Sequence, residues 1–237
     1  MKPRERLIVA LDVGTADEAR SLVARLSGHV GLFKIGSQLF TAAGPDLVRE
    51  ISAGGERVFL DLKFHDIPNT VAGAVASASR LGVSLVDVHG LGGRAMMEAA
   101  VGALPAMGTR LLAITILTSH HERTLREIGV EGSLADSVRR LALLAKESEV
   151  DGVVASPHEV GLIREACGRE LVIVTPGIRP AGAAAGDQAR AATPAAALAA
   201  GADYIVVGRP IVQAADPAAA ADAIVDELAA APHRALR

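Results

Sequence analysis

The feature of the sequence that most constrains its fold is a repeated alternation of short apolar runs with longer segments rich in Ala and Leu. Each apolar run ends at turn-forming or polar residues, as a buried strand does before a helix begins. Because neighbouring parallel strands need a crossover connection, usually a helix, the alternation predicts repeated βαβ units. Eight runs are predicted to be strands: 7–11, 32–35, 58–62, 85–88, 111–116, 152–155, 171–174 and 204–207.

Eight helical segments lie between and after these runs: 16–26, 45–53, 71–81, 93–104, 134–147, 158–166, 194–200 and 217–230. Eight βα units in 237 residues predict α/β architecture, a single-domain (β/α)8 TIM barrel in which residues 1–237 form one catalytic domain. An open, doubly wound sheet is the structural alternative. Its dinucleotide-binding form loses support because no G-x-G-x-x-G motif follows the first strand.

Composition narrows the class of protein further. Half of the residues are hydrophobic but only 2% are aromatic, so Val, Ile, Leu and Ala must fill the core, as suits strands covered by helices. A net charge of −3 gives no support for binding nucleic acid or a membrane surface. The single cysteine, Cys167, excludes an internal disulfide and is compatible with a reducing compartment. With neither a signal-peptide core nor an 18-residue apolar run, we expect a cytoplasmic protein.

Residues 58–70 carry the densest group of ionisable side chains. Asp61 and Lys63 are two positions apart at the end of a predicted strand, so they share one face, and Asp66 follows in the loop. The arrangement suits a reaction centre that uses a carboxylate and an ammonium group. It also suits an exposed ion pair of little energetic value, and the D-x-K-x-x-D spacing alone leaves both interpretations open.

Other strand ends favour the reaction centre. In a parallel barrel the carboxyl ends of all strands meet at one rim, where active sites lie. Asp12 follows strand one and Lys34 lies in strand two, so they are predicted to form an alternating-charge cluster with Asp61 and Lys63. Strand four ends in Asp87-Val88-His89, where we expect His89 to be a hydrogen-bonded structural residue and assign Asp87 no role.

A second group of residues predicts a phosphate-binding site on the far side of the rim. Strand seven runs into Thr175-Pro-Gly-Ile-Arg179, and strand eight runs into Gly208-Arg209. Barrels commonly bind phosphate with the loops after these two strands, and guanidinium groups bind phosphate oxygens in bidentate geometry. The predicted ligand is therefore a phosphorylated small molecule.

Two strand-to-helix connections are longer than ordinary loops, at residues 119–132 and 179–192. Long loops at this end of a barrel often cover or bind the ligand. The second connection is rich in Gly and Ala but contains Arg179 and Gln188, so we expect a cover that orders on ligand binding.

Together these motifs resemble those of a known family. The run Asp61-Leu-Lys63-Phe-His-Asp66-Ile67-Pro-Asn-Thr70, with Asp12, Lys34, Gly-Ile-Arg179-Pro, Asp187-Gln188 and Val-Gly208-Arg209, resembles orotidine 5′-phosphate decarboxylases of the bacterial type. The resemblance implies a homodimeric barrel that converts orotidine 5′-monophosphate to UMP and CO2, the last step of de novo UMP biosynthesis. It implies no metal and no organic cofactor.

The resemblance also implies roles for individual residues. Lys63 would donate the proton to the ring carbon that loses CO2, and Asp61 would lie beside the departing carboxylate. Asp12 and Lys34 would hold the ribose and order the charges. Three residues would reach into the partner subunit's site, namely Asp66, Ile67 and Thr70. The base and phosphate would be contacted by Thr118, Arg179, Gln188, Gly208 and Arg209.

Two other functions remain as alternatives. A phosphosugar decarboxylase of the same barrel group shares the D-x-K-x-x-D spacing but uses Mg²⁺, with an acidic metal ligand where this chain has Lys34. A lysine at that position would repel a divalent ion, which disfavours this function. A non-catalytic barrel that binds a phosphorylated ligand is the other alternative, and only turnover distinguishes it from an enzyme.

Overall fold

Eight parallel strands close into a barrel in which each strand pairs with the next in the chain and the last pairs with the first. The structure is a computed structural model that describes residues 1–106, 108–180 and 192–231. The strands are β1 Leu7–Ala10, β2 Leu32–Gly36, β3 Val58–Phe64, β4 Leu85–His89, β5 Arg110–Ile114, β6 Gly152–Val154, β7 Val172–Thr175 and β8 Tyr204–Val207. The predicted (β/α)8 barrel is therefore confirmed, and the open sheet is excluded.

Helices surround the barrel: α1 Ala16–Leu26, α2 Ser37–Ala53, α3 Pro68–Ser79, α4 Gly93–Gly102, α5 Glu122–Glu127, α6 Leu134–Glu147, α7 Val160–Cys167, α8 Pro194–Ala200, α9 Arg209–Val212 and α10 Pro217–Ala230. Short 3-10 helices occur at Pro3–Arg6 and Gly90–Gly92. Four predicted helices have the predicted bounds because a polar N-cap precedes each one. These caps are Thr15, Ser133, Thr193 and Asp216.

Three helices differ from the prediction by more than a shift of their ends, and one of them, α9, was not predicted at all. Helix α2 begins at Ser37 rather than at residue 45, and a kink at Gly44 with φ of 70° joins its two parts. Pro45 hides this continuity in the sequence, since proline ordinarily marks a helix start. The predicted loop 119–132 contains α5, whose N-terminus is capped by His121 Nδ1, the acceptor of a 3.4 Å hydrogen bond from the Thr124 N–H group.

The core has two layers, both largely aliphatic as the composition predicts. Side chains inside the barrel form the inner layer: Ile8, Ala10, Leu32, Phe59, Leu85, Leu112, Val174, Tyr204 and Val206. The outer layer lies between the strands and the helices and includes the buried thiol of Cys167. Because side chains fill the barrel interior, a ligand can enter only at its mouth. Within the three described ranges, no helix is long and apolar enough to cross a membrane.

Candidate active site

A cavity of about 260 Å³ opens at the carboxyl-terminal mouth of the barrel. Its floor is the top of the inner core, including Ala10, Phe59 and Val206. Its polar wall brings together seven residues that the sequence predicted for the site, and these are Asp12, Lys34, Asp61, Lys63, Thr118, Arg179 and Arg209. Gly208 also lines the cavity.

Strand periodicity explains why charges face this cavity. Alternate residues of a strand point into the barrel, and the inward positions change from apolar to charged near the carboxyl end. On β2 this change is from Leu32 to Lys34, and on β3 from Phe59 to Asp61. Asp12 follows β1 two positions after inward-facing Ala10.

The four charged groups form a row of alternating sign across β1, β2 and β3. Lys34 Nζ lies 3.1 Å from Asp61 Oδ2 and 3.3 Å from Asp12 Oδ1. Lys63 Nζ donates a hydrogen bond to Asp61 Oδ1. Asp61 therefore lies between two ammonium groups, as the predicted cluster requires.

The backbone that presents Asp61 and Lys63 is not a regular strand. Leu60 pairs with Val86 and Phe64 pairs with Val88, so three residues of β3 face a single residue, Asp87, on β4. The backbone of Lys63 has φ of 53°, a left-handed conformation that residues other than glycine rarely adopt. Sequence reasoning assumed simple alternation here, and it did not predict this bulge.

Asp87 belongs to the site although no role was predicted for it. Its side chain is 0% exposed, and Asp87 Oδ1 accepts a 2.7 Å hydrogen bond from the Lys63 N–H group. One signal was available in the sequence, since Asp87 interrupts the apolar run from Leu85 to Val88. A carboxylate inside a barrel strand is rarely tolerated without a specific partner.

Burial and charge set the protonation of the cluster. Burial alone would raise the pKa of Asp61, but the Lys34 ammonium, hydrogen bonding from Asp87 and the Lys63 ammonium lower it to about 2. Burial would likewise lower the pKa of Lys34, yet the carboxylates of Asp61 and Asp12 raise it above its ordinary value. Asp61 and Lys34 are thus a fully ionised pair at neutral pH.

The phosphate-binding side of the predicted site adjoins this cluster. The sequence placed Gly208 and Arg209 on the far side of the rim from Asp12, but barrel closure pairs β8 directly with β1. A Cβ atom on Gly208 would lie 3.3 Å from Asp12 Oδ2, so glycine leaves the space that the carboxylate needs. Asp12 therefore lies between Lys34 on one side and the Gly208-Arg209 segment on the other.

Three predicted site residues are not in this cavity, and a fourth cannot be placed in it or outside it. Asp66 is exposed, and its Oδ1 atom accepts a 2.6 Å hydrogen bond from the Ile67 N–H group. Ile67 is 67% exposed, and Thr70 is exposed on the first turn of α3. Gln188 lies outside the described residues, as does most of the predicted cover. Their roles, and the homodimer, stay predictions.

His89 lies beside the site rather than in the cavity wall. Its Nδ1 atom accepts a 3.3 Å hydrogen bond from the Leu91 N–H group, and its ring stacks on His65 at 5.4 Å between centroids. Burial, and then electrostatic interaction with His65, His120 and Lys63, lower the pKa of His89 to about 4. A neutral, hydrogen-bonded histidine agrees with the structural role expected for it.

A closed (β/α)8 barrel with a charged cluster and two arginines at its carboxyl-terminal mouth defines the class of TIM-barrel enzymes that bind anionic small molecules. A sequence model described as the Orotidine 5'-phosphate decarboxylase / HUMPS family matches residues 5–224. The chain therefore belongs to the orotidine 5′-phosphate decarboxylase / HUMPS family.

Individual relatives agree with this assignment. The orotidine 5′-phosphate decarboxylase of Syntrophotalea carbinolica is 56% identical over 98% of both chains. That of Halorhodospira halophila is 58% identical over 95% of this chain and 97% of its own. The crystal structure of the Lactobacillus acidophilus orotidine 5′-phosphate decarboxylase superposes with a TM-score of 0.84 at 40% identity, covering 94% of this chain and 98% of that one.

Proposed function

We propose that this chain, as a single catalytic domain, decarboxylates orotidine 5′-monophosphate to UMP and CO2, the last step of de novo UMP biosynthesis. The observation that carries the proposal is the row Asp12–Lys34–Asp61–Lys63 on the wall of a cavity that Arg179 and Arg209 also line. Near-full-length similarity to relatives named orotidine 5′-phosphate decarboxylase supports it.

Lys63 is the proposed proton donor. Loss of CO2 from the pyrimidine ring leaves negative charge on a carbon whose lone pair lies in the ring plane, where the π system does not absorb it. The Lys63 ammonium faces the cavity and would stabilise this charge as it forms, then deliver the proton to the same carbon. Opposite unit charges about 4 Å apart interact by about 4 kcal/mol at an effective dielectric constant near 20, which is enough to change a rate substantially.

The carboxylates have complementary roles in this proposal. Asp61, kept ionised by its two lysine neighbours, would lie beside the substrate carboxylate and raise the energy of the bound ground state. Lys34 would hold Asp61 in place, and together with Asp12 it would bind the ribose hydroxyls. The substrate's own binding energy would offset the repulsion between the two carboxylates.

The phosphate supplies much of that binding energy. Arg179 and Arg209 can both neutralise phosphate oxygens, and Gly208 lets the backbone approach them closely. Thr118 lies on the cavity wall and would contact the base and phosphate region. Gln188 would do so from the loop beyond Arg179.

A homodimer completes the proposed site. Asp66, Ile67 and Thr70 follow β3 directly but are exposed, which is the arrangement expected of side chains that reach into the partner subunit's cavity. An isoleucine that is 67% exposed beside a cavity mouth favours burial against another chain. The dimer is proposed to work in the cytoplasm without a metal or an organic cofactor.

The position of Lys34 disfavours the Mg²⁺-dependent alternative. Its ammonium group lies within 3.3 Å of both Asp12 and Asp61, so it occupies the place between the two carboxylates that a divalent ion would need. A non-catalytic ligand-binding barrel has no evident need for the costly burial of Asp61 and Lys34.

The test is UMP formation from orotidine 5′-monophosphate, with and without EDTA. We expect wild-type activity to be insensitive to EDTA, and Lys63→Ala to lower kcat by at least about a thousandfold, since it removes both charge stabilisation and the proton donor. Lys2→Ala, which removes an exposed lysine that precedes β1 and does not line the cavity, is the matched control. Loss of activity in EDTA would favour the metal enzyme, and nucleotide binding without turnover would favour the ligand-binding barrel.

A further inference from the structure

Asp87 is a buried acid that the proposed chemistry does not use. It shares the inward face of β4 with Leu85, directly above the inner core, and it lies opposite the β3 bulge formed by residues 61–63. Its carboxyl group is not part of the cavity wall, so it does not contact a bound ligand directly. Any influence on the reaction must therefore act through its neighbours.

The two oxygens of Asp87 have different surroundings. Oδ1 accepts the 2.7 Å hydrogen bond from the Lys63 N–H group. Oδ2 is buried and has no hydrogen-bond donor among residues 1–106, 108–180 and 192–231. The neighbouring side chain within hydrogen-bonding reach is the Asp61 carboxyl group, which has no proton of its own while two lysines hold it ionised.

Two carboxyl groups in contact can avoid repulsion by sharing one proton. Lys34 and Lys63 both favour the ionised form of Asp61, whereas Asp87 has no ammonium hydrogen bond and is fully buried. The charged groups that act on Asp87 are Asp61 and Lys63, both from β3, while β5 places the apolar Leu112 beside it. Burial first, and then the Asp61 charge, raise the pKa of Asp87 well above its ordinary value.

We infer that Asp87 is a positioning residue in the form of a neutral carboxylic acid, whose Oδ2–H group donates to Asp61 while Oδ1 accepts from the Lys63 backbone. The Asp87 side chain would then form hydrogen bonds with both Asp61 and Lys63. It holds the Asp61 carboxylate in place and keeps Lys63 in its left-handed conformation, with φ of 53°. The functional part of this inference rests on the proposed decarboxylase activity.

Two substitutions of Asp87 test whether its carboxyl group acts as a neutral hydrogen-bonding acid. Asparagine has the shape of a protonated aspartate, with an N–H donor for Asp61 and a carbonyl acceptor for Lys63, so Asp87→Asn is expected to retain kcat within about threefold. Asp87→Ala removes both hydrogen bonds and is expected to lower kcat by about a hundredfold, the penalty for reacting groups misplaced by about 1 Å. KM should change less, because the arginines that bind phosphate are untouched.

The pH profile adds a readout that packing alone would not change. Ionisation of Asp87 at alkaline pH would abolish its bond to Asp61, so part of the wild-type fall in kcat at high pH should be absent in Asp87→Asn. Equal losses of kcat in Asp87→Asn and Asp87→Ala would overturn the inference, and so would full activity in Asp87→Ala.

Infrared spectroscopy tests the proton without relying on turnover. Wild-type protein at pH 7 should show the carbonyl band of a buried protonated carboxyl group, and Asp87→Asn should lack it. This result decides the inference even if Asp87→Ala fails to fold. Absence of the band from the wild-type protein would overturn the inference that Asp87 is protonated. If the band is present but the wild-type protein does not form UMP, only the proposed function is contradicted.

Discussion

Replacing Lys34 by methionine tests whether the site is a buried ion network. The side chains of Lys34 and Asp61 are only 13% and 11% exposed, and their charges are 3.1 Å apart. At an effective dielectric constant near 20 this pair interacts by about 5 kcal/mol, part of which offsets the cost of burying both ions. Lys34→Met leaves the buried Asp61 carboxylate with one ammonium partner, Lys63, instead of two, so it should lower the free energy of unfolding at pH 7 by about 3 kcal/mol, the lower end of the loss for a broken buried pair.

The assay is urea denaturation followed by circular dichroism, with two matched variants. Arg123→Met breaks an ion pair of similar length, 2.8 Å, whose side chains are 79% and 57% exposed, and it should change stability by no more than about 0.5 kcal/mol. Adding Asp61→Asn to Lys34→Met removes the buried charge that has lost one of its two ammonium partners and should recover at least half of the loss. A small loss for Lys34→Met, within about 1 kcal/mol, or a double variant less stable than Lys34→Met, would refute the reasoning.

The pH dependence of this variant has a definite sign. In wild type the pKa of Asp61 is lowered to about 2, so its stabilising contribution is present above the ordinary pKa and is lost as the pH falls toward 2. Without Lys34, only Lys63 and Asp87 oppose the effect of burial on Asp61, which should then raise its pKa above its ordinary value, and the variant loses stability as the pH rises. The stability difference between wild type and Lys34→Met should therefore shrink between pH 7 and pH 4.

Three further predictions concern the phosphate, the dimer and the barrel. Arg209→Gln should raise KM for orotidine 5′-monophosphate by about 10- to 100-fold but leave turnover of the nucleoside without phosphate unchanged, since a charge-assisted hydrogen bond contributes about 1.5–3 kcal/mol. Ile67→Asp should convert dimers to monomers in analytical ultracentrifugation and lower activity in parallel. In urea denaturation, Gly152→Ala should destabilise by at least about 1–3 kcal/mol, because its Cβ would lie 2.5 Å from a β7 carbonyl oxygen. Gly161→Ala, in α7 with open space around it, should stabilise by up to about 1 kcal/mol.

The sequence was most informative where a prediction depended on periodicity and on barrel topology. The eight strand positions follow from apolar runs, and the ends of several helices follow from capping residues such as Thr15 and Ser133. Because all parallel strands end at one rim, Asp12, Lys34 and Asp61 could be placed together without coordinates. The continuation of α2 before Pro45 was missed because proline ordinarily marks a helix start, and the helix within 119–132 was missed because it is only six residues long.

By itself, then, the sequence determined the eight βα units, the aliphatic core and the row of charges at the carboxyl ends of the strands, because these depend on which residues alternate along a strand and where each strand ends. Only the tertiary structure decided how β3 meets β4, where three residues face Asp87 and Lys63 turns left-handed to donate its N–H group to that side chain. It also decided that Gly208 and Arg209 adjoin Asp12. Register shifts and barrel closure arise from pairing between segments distant in the chain, and no local pattern of residues encodes them.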